Sequence, residues 1–135
     1  MVRRLILTLA CSLSLLSGCA SVTHVQAGRH DQFRNALVDS CHSIQISEFQ
    51  TARRQLDQAR NLAQGQQQRQ KVMDLEHMLD GAKALHDGHP RKAATAWLAI
   101  RNTALRQQVV GLADAEGINL IALAEDGSIE KESSQ

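Results

Sequence analysis

Residues 80–100 read DGAKALHDGHPRKAATAWLAI, and most of the architecture follows from this stretch. Its glycines, its proline and its apolar residues are spaced for two helices joined by a tight turn. Gly88 tolerates positive φ and so ends a helix at little cost. Pro90, the only proline in the chain, suits the first turn of the next helix, where its missing N–H removes no bond. Gly81 lies seven residues before Gly88, and Ala93, Trp97 and Ile100 follow at intervals of five, four and three. Small side chains at 81 and 93 let two helices approach closely where they cross. Trp97 fills the space beside that contact.

Working outward, the flanking segments also read as helices. Phe49, Ala52, Leu56, Ala59 and Leu62 step by three and four, the spacing of one helical face. Val72, Leu75, Leu79 and Ala82 do the same, with Met78 and Leu85 widening the stripe. Ser47-Glu48-Phe49-Gln50 has the pattern of a capping box that starts a helix. Gly65 is positioned to end that helix, Asn102 or Thr103 to cap a later start, and Gly117 to stop it. The expected helices run over about 31–44, 47–64, 67–87, 90–101 and 103–115, followed by a short apolar segment over 118–124. The turns are short, so neighbours are expected to pack antiparallel. Strands find little support, because alternation is weak outside 118–123.

Gly81, Gly88, Ala93, Trp97 and Ile100 together resemble a tetratricopeptide repeat (TPR), a helix–turn–helix unit of about 34 residues. Ala52, Leu56 and Ala59 give a partial echo 41 residues upstream. The sequence departs from the repeat's pattern at four positions. His77 and Asp80 stand where the repeat favours a large aromatic and a leucine, Ala84 where it favours tyrosine, and Leu105 where it favours proline. The resemblance implies an array of hairpins whose inner face binds segments of other proteins. On that reading Trp97 is a partner-binding anchor; on the plain packing reading it belongs to the core. The expected fold is all-α: antiparallel helical hairpins, as a short TPR-like array or a small helical bundle.

The start of the chain carries a second pattern. Met1-Val2-Arg3-Arg4 is cationic, and residues 5–16 are mostly apolar. A positive n-region, a short apolar h-region and small residues after it are the parts of a secretory signal peptide. The run is shorter than the roughly 20 residues that a spanning helix needs. Its end, Leu16-Ser17-Gly18-Cys19, resembles the bacterial lipobox. That resemblance implies cleavage before Cys19, with diacylglycerol on the Cys19 thiol. Ala20 follows, not the Asp that retains such proteins at an inner membrane, so in a host with two membranes the outer one is expected, facing the periplasm. Two or more acyl chains make a stable anchor where one is marginal.

The expected organisation is then a lipoprotein signal peptide over 1–18, a lipidated Cys19 with a flexible tether over 19–29, a TPR-like helical domain over 30–125, and a disordered polar tail over 126–135. Cys11 leaves with the signal and Cys19 is consumed by lipid, which leaves Cys41 with no intramolecular partner for a disulfide. It reads as a small buried hydrophobe.

Composition excludes several function classes. Without Arg3 and Arg4, 13 basic side chains face 14 acidic ones, a net charge near −1. That gives no field to hold nucleic acid. Tyr is absent, and Phe33, Phe49 and Trp97 are the only aromatics, so stacking platforms for single strands are lacking. No Ser–His–Asp arrangement, phosphate loop or dinucleotide fingerprint is present, so no enzyme activity and no cofactor are expected. Asp74, Glu76, Asp80 and Asp87 read as a solvated face.

The expected function is that of a membrane-anchored periplasmic lipoprotein, a protein–protein interaction scaffold or an assembly or escort factor whose partner is an envelope protein or peptide segment. The alternative is a small-ligand or metal-binding envelope protein that uses His86 and His89, three residues apart in the turn. Against it, no carboxylate or cysteine pattern completes a recognised metal site.

Overall fold

The computed structural model describes residues 24–115 and 117–123. The expected signal segment, Cys19 and the polar tail lie outside the described residues. Five helices are defined: α1 (His24–Gln45), α2 (Phe49–Leu62), α3 (Gly65–His86), α4 (Pro90–Leu98) and α5 (Thr103–Ala115). A further helical turn covers 120–123, and no strand occurs among the described residues. The fold is all-α, a small helical bundle.

Each helix packs on the one before it, and α1 also reaches α3. The first three pairs run antiparallel. Arg29, near the start of α1, donates from Nη2 to the Asn61 carbonyl near the end of α2 at 3.3 Å. Across α3 and α4, Met78 meets Trp97, and Asp74 meets Arg101. Between α2 and α3, Arg53 pairs with Asp80 and Arg60 with Glu76. These pairs sit at the surface, where each contributes about 0–1 kcal/mol.

The apolar stripes account for the core. On α2, Ala52, Leu56 and Ala59 are fully buried, while Phe49 and Leu62 flank them partly buried. On α3 the buried set is Val72, Leu75, Met78, Leu79, Ala82 and Leu85. A 14-residue helix such as α2 is marginal alone in water. Burial of its stripe is what holds it, at about 1.5–3 kcal/mol for a side chain such as Leu56. The buried face of α1 comprises Phe33, Ala36, Leu37, Ser40, Cys41, Ser43 and Ile44, again at intervals of three and four. Ser40 is accommodated because its hydroxyl donates to the Leu37 carbonyl at 2.7 Å.

Three connections use the same device. Ser47, Gly88 and Gly117 each adopt positive φ, at 63°, 79° and 76°. In each case the residue's own N–H and the next one reach back to the preceding helix. The bonds are Ser47 to Ile44 and Glu48 to Ser43, Gly88 to Leu85 and His89 to Ala84, Gly117 to Asp114 and Ile118 to Ala113, all 2.8–3.1 Å. This is the Schellman arrangement. Pro90 then opens α4, and Asn102 caps α5 by accepting the Leu105 N–H on Oδ1 at 3.0 Å.

Several expectations are corrected. α1 already includes His24, so residues 24–29 of the stretch expected as a flexible tether over 19–29 are helical. Nothing in 24–30 breaks a helix strongly, and extending an existing helix costs far less than starting one. Ser47 is no capping-box residue: it ends α1 in a left-handed conformation, and the N-cap of α2 is Glu48, with no side-chain cap bond. Gly65 does not end α2. That helix stops at Leu62 with Ala63 extended, and Gly65 opens α3 at φ 80°. Within the apolar segment expected over 118–124, residues 120–123 form a helical turn, and Asn119 caps it by accepting the Ala122 N–H on Oδ1 at 3.0 Å.

Candidate functional site

The most specialised part of the described structure is the α3–α4 contact with the connection that follows it. Gly81 lies against the indole of Trp97. A Cβ at 81 would stand 2.2 Å from Nε1, 2.4 Å from Cδ1 and 2.7 Å from Cε2. Nothing but glycine fits there without moving the ring. The ring is also fixed by a hydrogen bond to the same helix, since Nε1 donates to the Met78 carbonyl at 3.1 Å. Ala93 and Ala94 are fully buried beside it on α4. The expected role of Gly81 as a point of close approach therefore holds.

Trp97 is 6% exposed. Its ring packs on Gly81 and its N–H is given to Met78, so within the fold it acts as the wedge between two helices, the role that the packing reading assigned it. Buried indole N–H groups normally find such a partner.

Below the wedge lies Asp74, which the sequence reading placed on a solvated face. It is 4% exposed. Its Oδ1 accepts the Arg101 N–H at 2.8 Å and the Gln70 Nε2 at 3.1 Å, and its Oδ2 accepts the Asn102 N–H at 3.2 Å. The carboxylate thus satisfies backbone donors at the entry to α5, which have no partner within a helix. A signal for this was present. Asp74 lies four residues before Met78 and seven before Gly81, on the helical face that meets α4.

The histidines do not converge. His86 is exposed, its ring edge-on to Phe49 with centroids 5.3 Å apart, and its Nδ1 lies 3.3 Å from Asp87 Oδ1. His89 is the N-cap of α4 and also exposed. Hydrogen bonds from Lys83 and then His86 hold the Asp87 carboxyl below the usual carboxylate range. Among the described residues no three His, Cys, Asp or Glu side chains are grouped to hold a metal ion. The Cys41 thiol is buried.

Large apolar side chains remain at the surface: Val38 on α1, Ile46 in the turn after it, Met73 on α3 and Ile121 in the last turn, each 44–55% exposed. None of the described helices is long and apolar enough to cross a membrane. Comparison with protein families, curated proteins and solved structures finds no match to this chain.

Proposed function

We propose that this chain is a lipid-anchored envelope protein whose helical domain binds a segment of another protein, as a scaffold or an assembly or escort factor. The observation that carries the proposal is Leu16-Ser17-Gly18-Cys19 behind a cationic start and a short apolar run. Cys19 is the lipid attachment point, and the outer membrane is the destination in a host that has two membranes. A TPR-like reading of the hairpins agrees with the serial packing of the helices, each on its predecessor. The exposed Val38, Ile46 and Met73 are apolar surface that a partner segment would cover. Tethering raises the local concentration of the domain near a membrane-bound partner, so weak recognition suffices.

The test is crosslinking and pull-down from native membranes, with Cys19→Ser as the control, alongside metabolic labelling with a fatty acid. The expected result is label on Cys19 and one captured envelope protein that is lost or weakened in the variant. Absence of label, with unchanged localisation of Cys19→Ser, would sink the anchor. Specific capture that persists unchanged without the anchor would sink the tethering mechanism.

A further inference from the structure

We propose that the C-terminal unit, α5 with the helical turn that follows it, is a hinged flap, and that the Asp74 carboxylate is the latch that holds it closed. Two independent observations meet here. The first is the packing. Of the contacts between successive helices, the one between α4 and α5 is the smallest. Val109, Ala113 and Leu120 are the buried residues that seat the unit. The hinge is the connection over 99–102, between Leu98 at the end of α4 and Thr103 at the start of α5.

The second observation is the latch. Asp74 belongs to α3, yet two of its hydrogen bonds cross to that connection, to the Arg101 and Asn102 N–H groups. Gln70 braces the carboxylate through its Nε2, and its own Oε1 accepts from the Arg101 guanidinium at 3.4 Å. Arg106 adds a bond from Nη1 to the Ile100 carbonyl at 3.5 Å, within the hinge and α5. Hydrogen bonds to a buried carboxylate are stronger than neutral ones and costly to leave unmade. Swinging α5 away uncovers Val109, Ala113 and Leu120, lifts the partly buried Leu105 and Val110 off the core, and turns the Arg101 and Asn102 N–H groups of the hinge off the carboxylate. The domain therefore has two states. In the closed one Asp74 grips the hinge; in the open one Val109 and Ala113 are uncovered. Openings of this sub-global kind draw on the least packed part of a fold.

A plain structural brace would behave differently, and native-state hydrogen exchange on the full chain separates the two. The expected wild-type result is that α5 amides exchange through an opening distinct from, and easier than, that of α2 and α3. Asp74→Asn keeps the shape but places an NH₂ against the backbone donors. It should speed α5 exchange by about tenfold or more, the scale of a lost charge-assisted bond, and leave α2 and α3 unchanged. Gln70→Ala, a milder change, should produce a smaller acceleration confined to the same amides. If α5 opens only together with α2 and α3 in the wild type, or if Gln70→Ala or Asp74→Asn speeds every helix equally, the flap is overturned. Should Asp74→Asn fail to fold, the wild type and Gln70→Ala decide the matter.

Discussion

Replacing Gly81 with alanine tests the α3–α4 wedge most directly. In an open helix the change would stabilise by about 1 kcal/mol, because glycine is the poorer helix former. Here the added methyl would stand 2.2–2.7 Å from three atoms of the Trp97 ring, well inside van der Waals contact. The ring has little freedom to yield. It is buried against α3, and its N–H is committed to the Met78 carbonyl. Overpacking of this kind costs about 1–3 kcal/mol, and loss of a buried hydrogen bond adds about 1–3 kcal/mol for the group left unpaired. Set against the propensity gain, the net loss comes to about 1–5 kcal/mol. Urea unfolding followed by far-UV circular dichroism reads it as a lower midpoint at unchanged slope. The control is Trp97→Leu, which removes the ring. In that background Gly81→Ala should be neutral or stabilising, so the cycle should return a coupling of about 2 kcal/mol or more. A Gly81→Ala protein as stable as the wild type, or more so, would refute the close approach and the wedge with it.

Two further predictions concern local chemistry. Ser47→Gly should stabilise the protein by about 1 kcal/mol, since Ser47 holds a φ of 63° that costs an L-residue about 1–2 kcal/mol and costs glycine nothing; a lower urea midpoint would contradict the Schellman ending of α1. The Asp87 carboxyl should titrate below the usual range, and Lys83→Met should move its NMR midpoint upward, because Lys83 is the larger of its two hydrogen-bond partners. Its folded-state pKa is depressed, so its contribution to stability is present above the ordinary carboxylate range and is lost as pH falls through the folded value. Added salt should weaken the shift at this exposed site, and a midpoint indifferent to Lys83→Met would remove the assigned cause.

What was legible in the sequence was local. The stripes on α2 and α3 are visible because a helix repeats every 3.6 residues whatever surrounds it. Gly88, Pro90, Asn102 and Gly117 act within a few residues of where they stand, so their roles could be read directly. The misreadings needed distant partners or a choice between two local rules. Ser47 satisfies the spacing of a capping box, but the free carbonyls of Ser43 and Ile44 claim the turn first. Asp74 looks like a surface carboxylate until the chain returns 27 residues later with two unpaired amides. The buried face of α1 was obscured by Ser40 and Ser43, polar residues inside an apolar stripe. Gly81 and Trp97 were recognisable as partners, yet only their distances show that the indole is wholly used within the fold.

The serial packing has a consequence for how the molecule is made. Most contacts join segments that are neighbours along the chain, so little loop entropy stands between the extended polypeptide and its native pairs. Such a topology folds fast. It also lets the chain fold in the order in which it appears: α1 finds most of its contacts on α2, and α3 adds to a pair already formed. A polypeptide emerging N-terminus first from a ribosome or a narrow pore could close each hairpin as it clears the exit. Apolar stripes such as Leu56 and Leu79 would then spend little time bare to water and to other chains.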